Sequence, residues 1–170
     1  MKNGGINALG YFTLIIMIIG GMTSGIGVGI ILSIIGFIIT TILYYKIDKL
    51  GYGTTLFNFT IYQYLIALIP TGILAYFGIN QYSAKSHGVI FLISVLIFAL
   101  LIFLAVLNYF IAKSLLAIGK STSNTWYNIS GILTKIGAYT MPVFVGIFFV
   151  MLAQPFFLLG CATYNPNLEK

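Results

Sequence analysis

The stretch GGMTSGIGVG at residues 20 to 29 carries five glycines in ten positions and is the first place to look for chemistry. A Walker phosphate loop needs Gly-Lys-Ser/Thr opening a helix, and a dinucleotide fingerprint needs a strand–helix–strand unit; neither accompanies these glycines. TSGIGVG has the outline of a potassium filter, but such a filter requires an outer helix and a pore helix before it and a four-fold ring of carbonyls. Only one apolar span precedes this segment. The reading that fits is a chain reversal at Gly20, Gly21 and Gly25. Beyond it Gly25, Gly29, Ser33, Gly36 and Thr40, spaced by three and four, form a small-residue seam for close helix packing.

Metal and nucleophile chemistry lack their partners. His87, in QYSAKSHG, is the one histidine and Cys161 the one cysteine, so neither a metal cluster nor an internal disulfide can be assembled from them. Serines and threonines have no His or Asp positioned to act as a base, and the apolar spans contain no Asp, Glu or Arg for a proton relay. The sequence therefore implies no enzyme and no cofactor. The strongest polar groups left within or near the spans are the amides Asn58, Gln63, Asn108 and Gln154. Such groups serve either as interhelical hydrogen-bonding glue or as a polar lining for a solute route.

The elements that must position these residues follow from composition. Of 170 residues 60% are hydrophobic and 6% charged, and the mean hydropathy is +1.08. Eight lysines, one Asp and one Glu cannot cover a water-soluble globule, so lipid is the expected outer solvent. The net charge of +6 comes from lysines scattered singly between apolar runs, which is a topology signal and no nucleic-acid footprint.

Residues 8 to 45 are uncharged; as one helix they would measure about 57 Å, nearly twice a hydrocarbon core, and so are read as two spans. The expected fold is all-α, a single integral membrane domain over residues 1–170. Its five spans lie near 6 to 21, 26 to 46, 54 to 80, 88 to 113 and 125 to 160. Five crossings put Lys2, Lys46, Lys49, Lys113 and Lys120 on one face with Lys135 reaching toward it, against Lys85 and Lys170 on the other. The positive-inside rule then places the N-terminus inside and the C-terminus outside. Pro70, Pro142 and Pro155 are expected to kink their helices.

KLGYGTTLFN at 49 to 58 and IGKSTSNTWYN at 118 to 128 share a Gly, a polar stretch and then Thr, a large apolar residue, an aromatic and Asn. Thr54 and Asn124 are candidate N-caps for the helices that follow. The pattern makes spans 2–3 and 4–5 candidate repeated hairpins; chance matching in a chain rich in Tyr and Phe is the alternative. The run GIILSIIGFIITTILYYKIDKLGYGTTLFN and the later NYFIAKSLLAIGKSTSNTWYNISGILTKIGAY resemble the mainly archaeal membrane family catalogued as domain of unknown function 996. The resemblance implies a small polytopic membrane protein and brings no catalytic or cofactor residues with it.

Two functions of different class fit these observations. One is a non-catalytic accessory or scaffold subunit of a larger membrane assembly, respiratory or otherwise energy-transducing, whose partners are lipids and other integral membrane subunits. The other is a small channel or carrier for a neutral or hydrophobic solute.

Overall fold

The computed structural model describes residues 4–23, 27–52, 54–79 and 87–165. They form helices only: α1 (Gly4–Met22), α2 (Gly27–Asp48), α3 (Leu56–Ile79), α4 (His87–Thr122), α5 (Thr125–Thr140) and α6 (Val145–Ala162), with a 3-10 turn at Met141–Val143 before α6. Among the described residues, four stretches are long and apolar enough to cross a membrane, Gly5–Met22, Gly27–Asp48, Ser94–Thr122 and Val145–Ala162.

The expected fifth span from 125 to 160 is not one helix. Pro142 stands where the chain stops and reverses: proline cannot donate to the preceding turn, and Phe144 takes a left-handed conformation at φ 63° to begin α6. The two halves then run antiparallel. Asn124, at the start of α5, donates to the carbonyl of Gly160 near the end of α6 at 3.2 Å, and Ser130 Oγ donates to the carbonyl of Ala153 at 2.9 Å. Pro142 thus marks a hairpin tip rather than a kink, while α3 and α6 continue unbroken through Pro70 and Pro155. The reversal also brings the end of α6 back beside the start of α1. The chain returns to where it began: Asn7 Nδ2 donates to the carbonyl of Tyr164 at 2.9 Å.

Close crossings depend on glycine, because a side chain there would meet a neighbour. A Cβ on Gly10 would lie 2.7 Å from the backbone nitrogen of Ala162, which fixes α1 against α6. On Gly131 it would lie 2.8 Å from Leu116 of α4, and on Gly160 2.8 Å from the ring of Tyr127. At the tip, one on Gly137 would lie 2.9 Å from the carbonyl oxygen of Gly146, and one on Gly146 would collide with the backbone of Gly137 and Met141. On α2, Gly29, Gly36 and Thr40 are buried and Ser33 is exposed. Gly36 faces Met17 and Ile16 of α1, and Ser33 lies beside Gly20. Gly25 lies outside the described residues.

The two proposed hairpins differ. Thr55–Asn58 and Thr125–Asn128 both stand at the start of a helix, α3 and α5 respectively. Asn124 caps α5 by accepting from Trp126 N at 3.0 Å. In α3 the cap is Asp48, which accepts from Leu56 N at 3.1 Å and Phe57 N at 2.8 Å, and Thr54 donates its hydroxyl to the same carboxylate at 2.5 Å. Thr54 therefore supports the cap without being it: an ionised carboxylate is a stronger acceptor for free helix N–H groups than a hydroxyl. Whereas α4 and α5 cross closely, α3 meets its neighbours through aromatic rings. Phe37 and Tyr64 are 4.0 Å apart between centroids, and Phe59 stacks on Phe110 at 5.1 Å.

Polarity is distributed inside out. Thr13, Thr40, Thr60, Asn108, Ser130 and Thr134 are buried, while Leu68, Phe91, Phe148 and Met151 are each at least 66% exposed.

Two substitutions test this packing by thermal unfolding in detergent. Gly146→Ala should destabilise by about 1–3 kcal/mol through overpacking of the hairpin tip. Gly21→Ala, where a Cβ meets nothing within 4 Å, should be neutral or stabilise by up to about 1 kcal/mol.

Candidate functional site

A cavity of about 220 Å³ opens between the helices, and every helix contributes to its wall. Met17 comes from α1, Phe37, Thr40 and Tyr44 from α2, and Thr60, Gln63 and Tyr64 from α3. Asn108, Ile111 and Leu115 come from α4, Ser130 and Thr134 from α5, and Ala153 and Gln154 from α6. Three of the four amides singled out in the sequence, Gln63, Asn108 and Gln154, thus converge on one space. Asn58 does not: it is exposed in the first turn of α3, in a shallow recess with Tyr45, Asp48 and Lys49.

The hairpin of α5 and α6 explains why hydroxyls and amides meet here. Ser130 and Thr134 occupy one face of α5 at a spacing of four, and the antiparallel return brings Ala153 and Gln154 opposite them. Thr134 Oγ1 donates to the carbonyl of Ser130 at 2.8 Å and Thr40 Oγ1 to that of Gly36 at 2.8 Å, the back-bonding habit of helical threonines. Asn108 Nδ2 donates to the carbonyl of Leu104 at 2.8 Å, within its own helix. Tyr44 OH donates to Gln154 Oε1 at 3.4 Å, a long cross-helix bond between α2 and α6. Thr60 Oγ1 is buried with no hydrogen-bond partner among the described residues.

Among the described residues the lining includes no Asp, Glu, Lys, Arg or His. What the cavity can do is form hydrogen bonds: it presents neutral oxygens and amide groups in an apolar bundle, where an unmet polar group is costly and a ligand that meets it is favoured. Its rim includes exposed side chains, Phe37 at 45% and Met151 at 66%, so one side of the space borders the apolar exterior.

The remaining candidates lie elsewhere. Cys161 is buried in the core, where Tyr127 OH donates to its Sγ at 3.5 Å. His87 opens α4, and no group of three metal-ligating side chains occurs among the described residues. Sequence reasoning missed Ser130, Thr134 and Thr60 as wall residues, and Gly131, Gly137, Gly146 and Gly160 as crossing points. Their signal was present in the small residues at 130, 134 and 138, spaced by four, but it reads as a seam only once 125 to 160 is known to double back. Comparison with family models, curated proteins and solved structures gives no match.

The amides should separate on substitution. Gln154→Leu removes a tie between helices and should lower stability by about 0.6–2 kcal/mol. Asn108→Leu, whose donor is spent within its own helix, should leave thermal stability in detergent close to wild type; a large loss would identify Asn108 as interhelical glue instead.

Proposed function

We propose that this chain is a multi-pass protein of the cell membrane that admits a small uncharged solute to its central cavity and acts as a carrier or channel for it. The observation behind this reading is the convergence of Gln63, Asn108 and Gln154 with buried hydroxyls in one space whose lining carries no charge. Polar side chains inside an apolar bundle are costly unless paired; here Tyr44 pairs with Gln154, Asn108, Ser130 and Thr134 bond backbone carbonyls, and all of them line the one cavity. The exposed surface, by contrast, is apolar enough to face lipid.

The topology that suits the fold has α1 to α4 crossing the bilayer and the α5–α6 hairpin entering and leaving by the face that holds both termini. From Lys113 back to His87 α4 measures about 39 Å, enough to cross. Lys135 lies roughly 15 Å along α5, within snorkelling distance of that face. Residues 141 to 148, at the hairpin tip, include no polar side chain, and Val143, Phe144 and Phe148 are exposed, which suits hydrocarbon and not water. Lys46, Lys49, Lys113 and Lys120 then belong to the terminal face, with Lys85 in the connection at the other, so the terminal face is cytoplasmic. Membership of the archaeal family that the sequence resembles belongs to the same proposal.

A second reading, an accessory subunit of a larger membrane complex, has its own observation. Because α5 and α6 are shorter than α4, the α4 side chains Phe91, Val95 and Phe98 remain exposed beyond the hairpin, a face that another integral subunit or lipid can cover. Co-purification of a stoichiometric partner in mild detergent supports it; a monodisperse chain isolated alone counts against it.

Two experiments test the main reading. In proteoliposomes, uptake of small neutral solutes should exceed that of protein-free vesicles and fall at least about tenfold in Asn108→Leu, a size of effect expected when one buried polar contact to the solute is lost. No solute-dependent signal would end the proposal. For topology, in a Cys161→Ala background, cysteines placed at positions 2 and 168 should label from the same side with an impermeant reagent, and Phe148→Cys from neither. Labelling of the two ends from opposite sides would restore five crossings.

A further inference from the structure

Resting on the reading of the central cavity as the seat of an uncharged molecule, we infer that it takes the polar end of a membrane-borne amphiphile. The ligand class is a single alkyl chain with a small uncharged head, such as a monoacylglycerol or a fatty alcohol, and the chain lies in a groove along α2.

Two adjoining spaces carry this assignment. The chamber wall is polar at Thr40, Tyr44, Thr60, Gln63, Asn108 and Gln154. Among the described residues the groove is lined by Gly29, Ile30, Ser33, Ile34 and Phe37, one stripe of α2. Phe37 belongs to both walls, so the groove starts where the chamber ends. Its ring leans on Tyr64, another chamber residue, with 4.0 Å between centroids. Ser33 Oγ donates to the carbonyl of Gly29 at 2.8 Å, which commits the one side-chain hydroxyl of the groove to the helix's own backbone. Ile30 and Ile34 stand exposed beside it. From Phe37 back to Gly29 the stripe is about 12 Å long, the reach of an alkyl chain of roughly ten carbons. One end of the combined space forms hydrogen bonds and the other offers only contact surface.

The route of entry sets the charge of the head. Phe37 and Met151 are exposed and border the chamber, so it is reached sideways from the bilayer. A ligand arriving that way brings its head through hydrocarbon, at a cost that is modest for a hydroxyl and prohibitive for an ion. Nor could the chamber compensate a charge, since no Asp, Glu, Lys, Arg or His is among its described lining residues. The charged heads of ordinary phospholipids are thereby kept out. An engineered cavity of about 150 Å³ accepts benzene, so a space of about 220 Å³ has room for a head the size of glycerol. Thr60 is the group on which the assignment turns. It is 3% exposed, lines the chamber and has no hydrogen-bond partner among the described residues, so a hydroxyl head would meet a buried group otherwise left unpaired.

Photolabelling of the full chain in phosphatidylcholine nanodiscs tests this, with a monodecanoylglycerol that carries a diazirine on its chain as the probe. Adducts should concentrate on residues 29–37 of α2. Unlabelled monodecanoylglycerol in excess should suppress them, whereas the decanoyl ester of glycerophosphocholine, the same chain on a charged head, should not. Thr60→Val, which keeps the shape and removes the hydroxyl, should lower the labelling by about fivefold. Thr60→Ser should restore most of it, which separates loss of the hydroxyl from loss of the fold. Ile34→Trp, at an exposed position in the groove, should displace the adducts from α2. Adducts spread evenly over the outer face of the bundle, equal suppression by the charged ester, or normal labelling of Thr60→Val would overturn the inference. The carrier reading is decided separately: if the labelling fails while small neutral solutes still enter proteoliposomes, that reading stands without this one. Labelling confined to α2 with no such entry leaves the amphiphile site and ends the carrier.

Discussion

The contact between Gly137 and Gly146 governs this molecule. Two backbones approach there more closely than any side chain permits, and the chain can double back between them at Met141–Phe144. With a larger residue at either position the antiparallel packing of α5 on α6 would be forced apart. Without that packing Ser130 would not reach Ala153, nor Asn124 reach Gly160. The end of α6 would no longer return to Asn7 and Gly10 of α1. The central cavity is a by-product of the same geometry, since α5 and α6 supply a quarter or more of its wall only because they pack side by side.

Much of the architecture was legible because it follows from one-dimensional quantities. Scarcity of charge, the length of apolar runs and the glycines at 20 to 29 are enough to separate α1 from α2 and to place α3 and the first three-quarters of α4. The last third of the chain was misread for a physical reason. Pro142 and Phe144 lie in an apolar stretch with no polar punctuation, and the usual signal of a reversal is a polar turn. A turn that does not face water needs none. The sequence thus marks turns between helices reliably only where the turn is wet. The same blindness extended α4 too little: its helix runs on past Lys113 to Thr122 because α5 is there to pack against Leu116 and Gly119.

The site was half legible. Intramembrane amides stand out against an apolar background, so Gln63, Asn108 and Gln154 could be named, and their convergence could not. Asn58 shows the limit of that reasoning, since an amide one turn into a helix at the bundle's end is simply at the surface. Asp48 is the opposite case. As one of two acids in the chain it reads from sequence as part of a charged loop, KIDK, whereas in the fold its carboxylate holds the first turn of α3.

That clamp has a mechanical consequence. Asp48 anchors α3 by its first turn, while farther along the helix Phe59 and Tyr64 lean on Phe110 and Phe37 ring against ring. Hydrogen bonds to a carboxylate fix the helix end by direction, and aromatic pairs add preferred ring geometries of their own. Helix α3 is therefore held by a carboxylate at its first turn and by aromatic rings farther along, and it is in that stretch that it gives Thr60, Gln63 and Tyr64 to the wall of the chamber.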